Sequence, residues 1–172
     1  YFNQGQICMS TERLIVDAKV ADAFVAQLAA KVETLRAGDP ADPESVLGSL
    51  VDASAGTRIK ALIDDALDKG ARLVAGGQLE GSILQPTLLD NVDNSMRLYR
   101  EESFGPVAVV LRAEGGPRQQ AREQTAGHKG QQGYEPGRRI FIDEADNFGA
   151  CDMQRHKQKS NASELWRHLD HV

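Results

Sequence analysis

Cysteine is nearly absent from this chain of 172 residues: only Cys8 and Cys151 occur. Two thiols so far apart do not make a disulfide framework, so a reducing, cytoplasmic setting is expected. There is no excess of basic charge either; the formal net charge is −5. That argues against nucleic acid or an anionic membrane surface as the main partner, since both call for a basic face. No apolar run approaches the ~20 residues needed to span a bilayer. Nothing reads as a signal peptide, although a chain without an initiator Met does not display its true N-terminus.

What is present is enough for one domain with an appendage, able to bury roughly two thirds of its unfolded surface. Up to Arg112 the pattern is regular. Arg13-Leu14-Ile15-Val16 is β-prone. Val20, Phe24, Leu28, Val32 and Leu35 recur at helical spacing, which predicts a helix over 20–35 that Gly38-Asp39-Pro40 ends. A second helix is predicted from about Thr57 to Lys69, with Ile59, Leu62, Ile63, Ala66 and Leu67 on one face, Ser54 or Thr57 as its cap and Gly70 as its stop. Arg72–Ala75 reads as a strand closed by Gly76-Gly77. Ile83–Leu89 is extended around a proline, suiting an edge or irregular strand. Val107–Leu111 is continuously apolar, the pattern of a strand covered on both faces. The fold class is therefore α/β, with a mostly parallel sheet flanked by helices.

Beyond Arg112 the pattern breaks down. Residues 113–137 are rich in Gly, Gln, Arg and Pro and hold almost no large apolar side chain, too few to offset the entropy of ordering. Arg139–Ile142 can form one strand and 162–168 a weak helical turn. The expected organisation is thus a patterned part over 1–112 and a divergent, irregular or disordered tail over 113–172.

Candidate chemistry begins at Asn3-Gln4-Gly5-Gln6-Ile7-Cys8, a glycine turn followed by a thiol. Gly5 lets the chain turn tightly where a Cβ would clash. Taken alone, Cys8 is more simply an inert buried thiol, and Asn3 reads equally as a residue that orients the cysteine loop or as a simple Asx-turn. Arg100-Glu101-Glu102-Ser103-Phe104-Gly105-Pro106-Val107 likewise reads as a solvated acidic loop with Phe104 as a core plug. His156, His168, His171 and Cys151 lack the spacing of a metal framework, so no metal is expected. The turns at Gly76-Gly77 and Gly115-Gly116-Pro117 are not phosphate cradles. Asp64-Asp65 and Asp68-Lys69 read as solvated helix charge.

Three blocks together say more. Asn3 to Arg13, Gly38-Asp39-Pro40-Ala41-Asp42-Pro43 through Gly48-Ser49-Leu50-Val51, and Arg100 to Val107 resemble, in order and spacing, the C-terminal catalytic domain of the aldehyde dehydrogenase superfamily. The wording Gln-Ile-Cys-Met-Ser-Thr-Glu-Arg and Met-Arg-Leu-Tyr-Arg-Glu-Glu is most similar to its salicylaldehyde, vanillin and benzaldehyde dehydrogenase branch. The resemblance implies oxidation of an aromatic aldehyde to a carboxylic acid with NAD or NADP. Cys8 would be the nucleophile, supported by Asn3, Gly5 and Gln6. Its thiolate adds to the carbonyl, hydride leaves to the nicotinamide, and water hydrolyses the thioester. Glu102 would accept ribose hydroxyls of the cofactor, and Phe104 would pack near the nicotinamide ribose.

The same resemblance places outside this sequence the nucleotide-binding domain, the oxyanion-hole Asn and the general-base Glu. The later helix–strand units and the oligomerising strand of this homo-oligomeric family are not recognisable after Arg112. The polypeptide alone is therefore expected to be inactive, and a non-enzymatic remnant is the competing reading. The simultaneous loss of pattern and resemblance suggests a shifted reading frame or a recombined gene end.

Overall fold

The computed structural model describes residues 1–114 and 139–142. Its first strand, β1 (Arg13–Asp17), runs directly into α1 (Ala18–Val32), with the Asp17 carboxylate accepting the Lys19 N–H. A second helix, α2 (Ala53–Asp68), leads to β2 (Arg72–Ala75), the short hairpin β3 (Leu79–Glu80) and β4 (Ile83–Leu84), and β5 (Thr87–Asp90). β6 (Val107–Ala113) and β7 (Arg139–Ile142) complete the set. The main sheet has the order β2-β5-β6-β1-β7, in which β5, β6, β1 and β7 run parallel and β2 is antiparallel.

Alternation along the strands sorts their side chains onto two faces. Ile15, Leu89, Val107, Val109 and Leu111 join Ile59, Leu62, Ile63 and Ala66 of α2 in one cluster. Leu14, Val16, Leu88, Ala108 and Val110 join Ala21, Val25 and Val32 of α1 in another. One helix thus covers each face, and the apolar run of β6 is buried on both sides, as its composition predicts. The α/β class and the mostly parallel sheet are as expected.

Several boundaries differ from the sequence expectations, each for a local reason. α1 stops at Val32 rather than near Leu35. The Lys31 carbonyl accepts both the Thr34 N–H and its hydroxyl, and the chain then leaves to pair Ala37 with Leu47. Gly38 is therefore not the helix stop. α2 starts earlier than Thr57, because the Asp52 carboxylate accepts the Ala55 N–H at 2.8 Å and is the cap. Ser54 instead donates to that carboxylate, and Thr57 donates to the Ala53 carbonyl within the helix. Gly70 does end α2: its φ is +101°, its N–H reaches Leu67 O, and the Ala71 N–H reaches Ala66 O, the paired bonds of a Schellman motif.

The extended stretch at 83–89 is irregular rather than one edge strand. It breaks at Gln85-Pro86, and β5 beyond it is interior, between β2 and β6. Pro86 precedes the strand, so its missing N–H removes no ladder bond. Among the described residues no helix is long and apolar enough to cross a membrane, and no group of His, Cys, Asp and Glu could hold a metal ion. The turn at 115–117, the helical turn at 162–168, and Cys151, His156, His168 and His171 lie outside the described residues.

Candidate active site

Because β1 and β6 are parallel neighbours, the loops leading into them emerge at the same end of the sheet. That rim is built from residues 1–12 and 101–106. It lies at the amino ends of the strands, opposite to the carboxyl-end crevice usual for open α/β sheets.

The first loop is held in an unusual backbone shape. Asn3, Gln4 and Gly5 take successive left-handed φ values of +50°, +54° and +72°. Asparagine and glycine tolerate this region well. The Gln6 N–H donates to Asn3 O at 2.9 Å, and Asn3 Nδ2 donates back to Gln6 O at 3.4 Å. A second turn follows, closed by the Ser10 N–H on Ile7 O at 2.9 Å. Cys8 and Met9 form its corner, and both are exposed. The Cys8 thiol is thus not a buried core thiol. No hydrogen bond among the described residues engages its backbone N–H.

Contacts from Gly5, Gln6 and Gln4 tie this loop to the other two blocks of the sequence. A Cβ on Gly5 would lie 1.9 Å from the Gly105 carbonyl oxygen, so the two glycine backbones touch. Gly105 in turn leaves no room on its other side, where a Cβ would meet Ile59 Cδ1 of α2 at 2.5 Å. Gln6 then reaches the 49–51 segment: Nε2 donates to Ser49 O at 3.3 Å, and Oε1 accepts the Val51 N–H at 2.8 Å. Gln4, with its amide oriented to satisfy both neighbours, accepts the Gly48 N–H at 2.8 Å and donates to Asn3 O at 3.0 Å. All three sequence blocks therefore meet at one place, around Gly5.

The second loop is fixed by residues to which the sequence reading gave no role. The buried Glu12 carboxylate oxygen Oε1 accepts the Ser103 N–H (2.9 Å), the Ser103 hydroxyl (2.8 Å) and the Phe104 N–H (3.0 Å). The Arg58 guanidinium on α2 donates to the carbonyls of Glu102 (3.3 Å) and Ser103. Phe104 sits at φ +47° with 41% of its surface exposed, so it does not plug the core.

The two adjacent carboxylates differ sharply in their surroundings. Glu101 is held by Arg97 through two bonds of 2.8 and 2.9 Å, which pull its pKa below the ordinary value. No hydrogen bond or ion pair among the described residues engages the half-buried Glu102 carboxylate, which remains open to a ligand. At the start of the first loop, burial pushes the Tyr1 hydroxyl pKa well up, and that hydroxyl donates to Thr87 O at 2.9 Å. Asp64 and Asp65 of α2 pair with Lys60 and Lys69, and Asp65 also accepts the Arg97 N–H at 2.8 Å. Asp65 is thus more than solvated charge.

Residues 1–121 match the model of the aldehyde dehydrogenase family. The chain belongs to that family. The resemblance carried by the three blocks is borne out, and so is its branch. A vanillin dehydrogenase of Pseudomonas fluorescens is 95% identical over 115 residues, covering 67% of this chain and 24% of that protein. Among solved structures, a salicylaldehyde dehydrogenase from Pseudomonas putida G7, complexed with salicylaldehyde, is similar with a TM-score of 0.66 and 48% identity. It covers 70% of this chain and 25% of its own. A glyceraldehyde-3-phosphate dehydrogenase from Methanocaldococcus jannaschii, complexed with NADP, has a TM-score of 0.63 and 29% identity, with coverage of 67% and 25%. This aldehyde dehydrogenase chain therefore spans about a quarter of the length of the curated relatives it matches.

Proposed function

We propose that these residues form part of an NAD- or NADP-dependent dehydrogenase that oxidises an aromatic aldehyde to its carboxylic acid, with Cys8 as nucleophile. The observation that carries this reading is the exposed thiol at the corner of a turn, in a loop locked backbone to backbone against Gly105. The substrate class is supported by the vanillin and salicylaldehyde dehydrogenases the chain resembles.

In this reading the Cys8 thiolate adds to the aldehyde carbon and makes a tetrahedral thiohemiacetal. The uncommitted Cys8 N–H is suited to hold the oxygen as it gains negative charge. Asn3, Gly5 and Gln6 keep the turn in shape. The Glu102 carboxylate, open among the described residues, suits the hydroxyls of a ribose, and the exposed Phe104 ring suits the adjoining face of a nucleotide. A nicotinamide dinucleotide, when bound, supplies the acceptor for the hydride expelled from the thiohemiacetal carbon. Water attack on the remaining thioester releases the acid and restores the Cys8 thiol.

The test is alkylation of Cys8 by iodoacetamide, followed by mass spectrometry, with Cys8→Ala to identify the signal. Cys8 is expected to react faster than a model thiol once the family's nucleotide-binding domain is supplied together with the dinucleotide, and to be protected by an aromatic aldehyde more than by an aliphatic one. Equal rates for Cys8 and the model thiol, with no protection, would overturn the nucleophile assignment. The competing reading, a folded piece without turnover, predicts that outcome.

A further inference from the structure

Phe104 occupies a backbone region that non-glycine residues avoid, and something must hold it there. Two side chains do so, one through the N–H groups of the loop and one through its carbonyls. Glu12 takes the two N–H groups of Ser103 and Phe104, together with the Ser103 hydroxyl, on one carboxylate oxygen. Arg58 takes the carbonyls of Glu102 and Ser103. Ser103 is almost fully buried, so its polar groups need these partners. The segment between the clamped groups carries the two side chains facing outward, Glu102 and Phe104.

We propose that Glu12 and Arg58 are positioning residues that clamp the backbone of 102–104 and so set where Glu102 and Phe104 stand. The placement of Glu12 gives the clamp a second consequence. It lies four residues after Cys8 and immediately before β1, and its own carbonyl accepts the Val109 N–H at 2.8 Å. The nucleophile turn and the 102–104 loop are therefore hung from the same residue. The assignment of Glu102 and Phe104 to a dinucleotide rests on the function proposed above; the clamp itself rests on the hydrogen bonds alone.

Amide hydrogen exchange by NMR on the full 172-residue chain tests it. Glu12→Ala should speed exchange of the Ser103 and Phe104 amides about tenfold or more, while amides at the centre of β5 and β6 keep their protection. Glu12→Gln retains an acceptor oxygen in the same place and should restore most of the protection. Arg58→Met should loosen the same segment, since it removes both carbonyl contacts and keeps much of the apolar stem. Unchanged exchange at Ser103 and Phe104 in Glu12→Ala would overturn the clamp, as would a uniform rise across the whole sheet, which is what a merely structural residue would give. Titration with NAD and with NADP separates the two claims. Glu102 and Phe104 resonances that respond in the parent chain, with a Kd weakened about tenfold in Glu12→Ala and recovered in Glu12→Gln, support positioning toward the cofactor. A response of equal strength in Glu12→Ala refutes that positioning. No response in the parent chain counts against the dinucleotide assignment, and the exchange data then decide the clamp by themselves.

Discussion

Replacing Gly5 with alanine would place a methyl group inside another part of the backbone. The added Cβ would lie 1.9 Å from Gly105 O and 2.4 Å from Gly105 C, neither of which is the movable end of a side chain. Gly105 cannot retreat freely, because Ile59 Cδ1 stands 2.5 Å from its own Cβ position. Two costs add. Holding an L-residue at φ +72° costs about 1–2 kcal/mol. Forcing the packed loops apart adds about 1–3 kcal/mol by analogy with overfilled cores. The sum, roughly 2–5 kcal/mol, is a large share of the ~5–15 kcal/mol stability of a typical domain. Gly81→Ala is the control, since Gly81 has φ +60° but nothing within 4 Å of its Cβ position, so only the conformational cost applies there. Urea denaturation followed by circular dichroism measures both variants. Gly5→Ala should lose about 1–3 kcal/mol more than Gly81→Ala. Equal losses would show that the Gly5–Gly105 contact does not constrain the loop.

Two further outcomes follow from particular groups. Asp90 is fully buried, and burial alone would raise its pKa, but bonds from Arg112 and Arg72, with the Asn91 N–H, outweigh that and leave it depressed. A depressed folded pKa contributes stability above the unfolded value near ~3.9, and that stability is lost as pH falls through the folded pKa. Asp90→Asn should therefore be less stable at pH 7, with the gap closing in unfolding titrations taken below about pH 4; a gap constant with pH would refute the ion-pair account. Asp52→Ala removes the cap of α2 and should cost about 1 kcal/mol in denaturant titrations, whereas Ser54→Ala should cost less, because Ser54 only supports the Asp52 carboxylate.

Much of the fold is legible because the signals are local. The apolar period of α2, the continuous run of β6 and the glycine at Gly70 each report on their immediate neighbours. The start of α2 is not legible, since Ala53-Ser54-Ala55-Gly56 carries no apolar period and the capping Asp52 looks like any loop acid. The end of α1 is set by Thr34 and by the pairing of Ala37 with Leu47, neither of which interrupts the apolar spacing. At the site, the motif residues point to Cys8 and Glu102, but nothing near Glu12 in sequence shows that its partners are Ser103 and Phe104. Adjacent Glu101 and Glu102 look equivalent in sequence; only the position of Arg97 tells them apart.

The parallel pairing of β1 with β6 also bears on the order of events as a ribosome delivers the chain. Residues 1–12 leave the exit tunnel ahead of their partners: Gly105, against which Gly5 packs, and the amides that Glu12 holds belong to a segment synthesised some ninety residues later. Contacts of such sequence separation form late in folding. During that interval Cys8 sits in a segment without its final shape, and a nascent chain halted before β6 would carry the thiol without the turn that presents it.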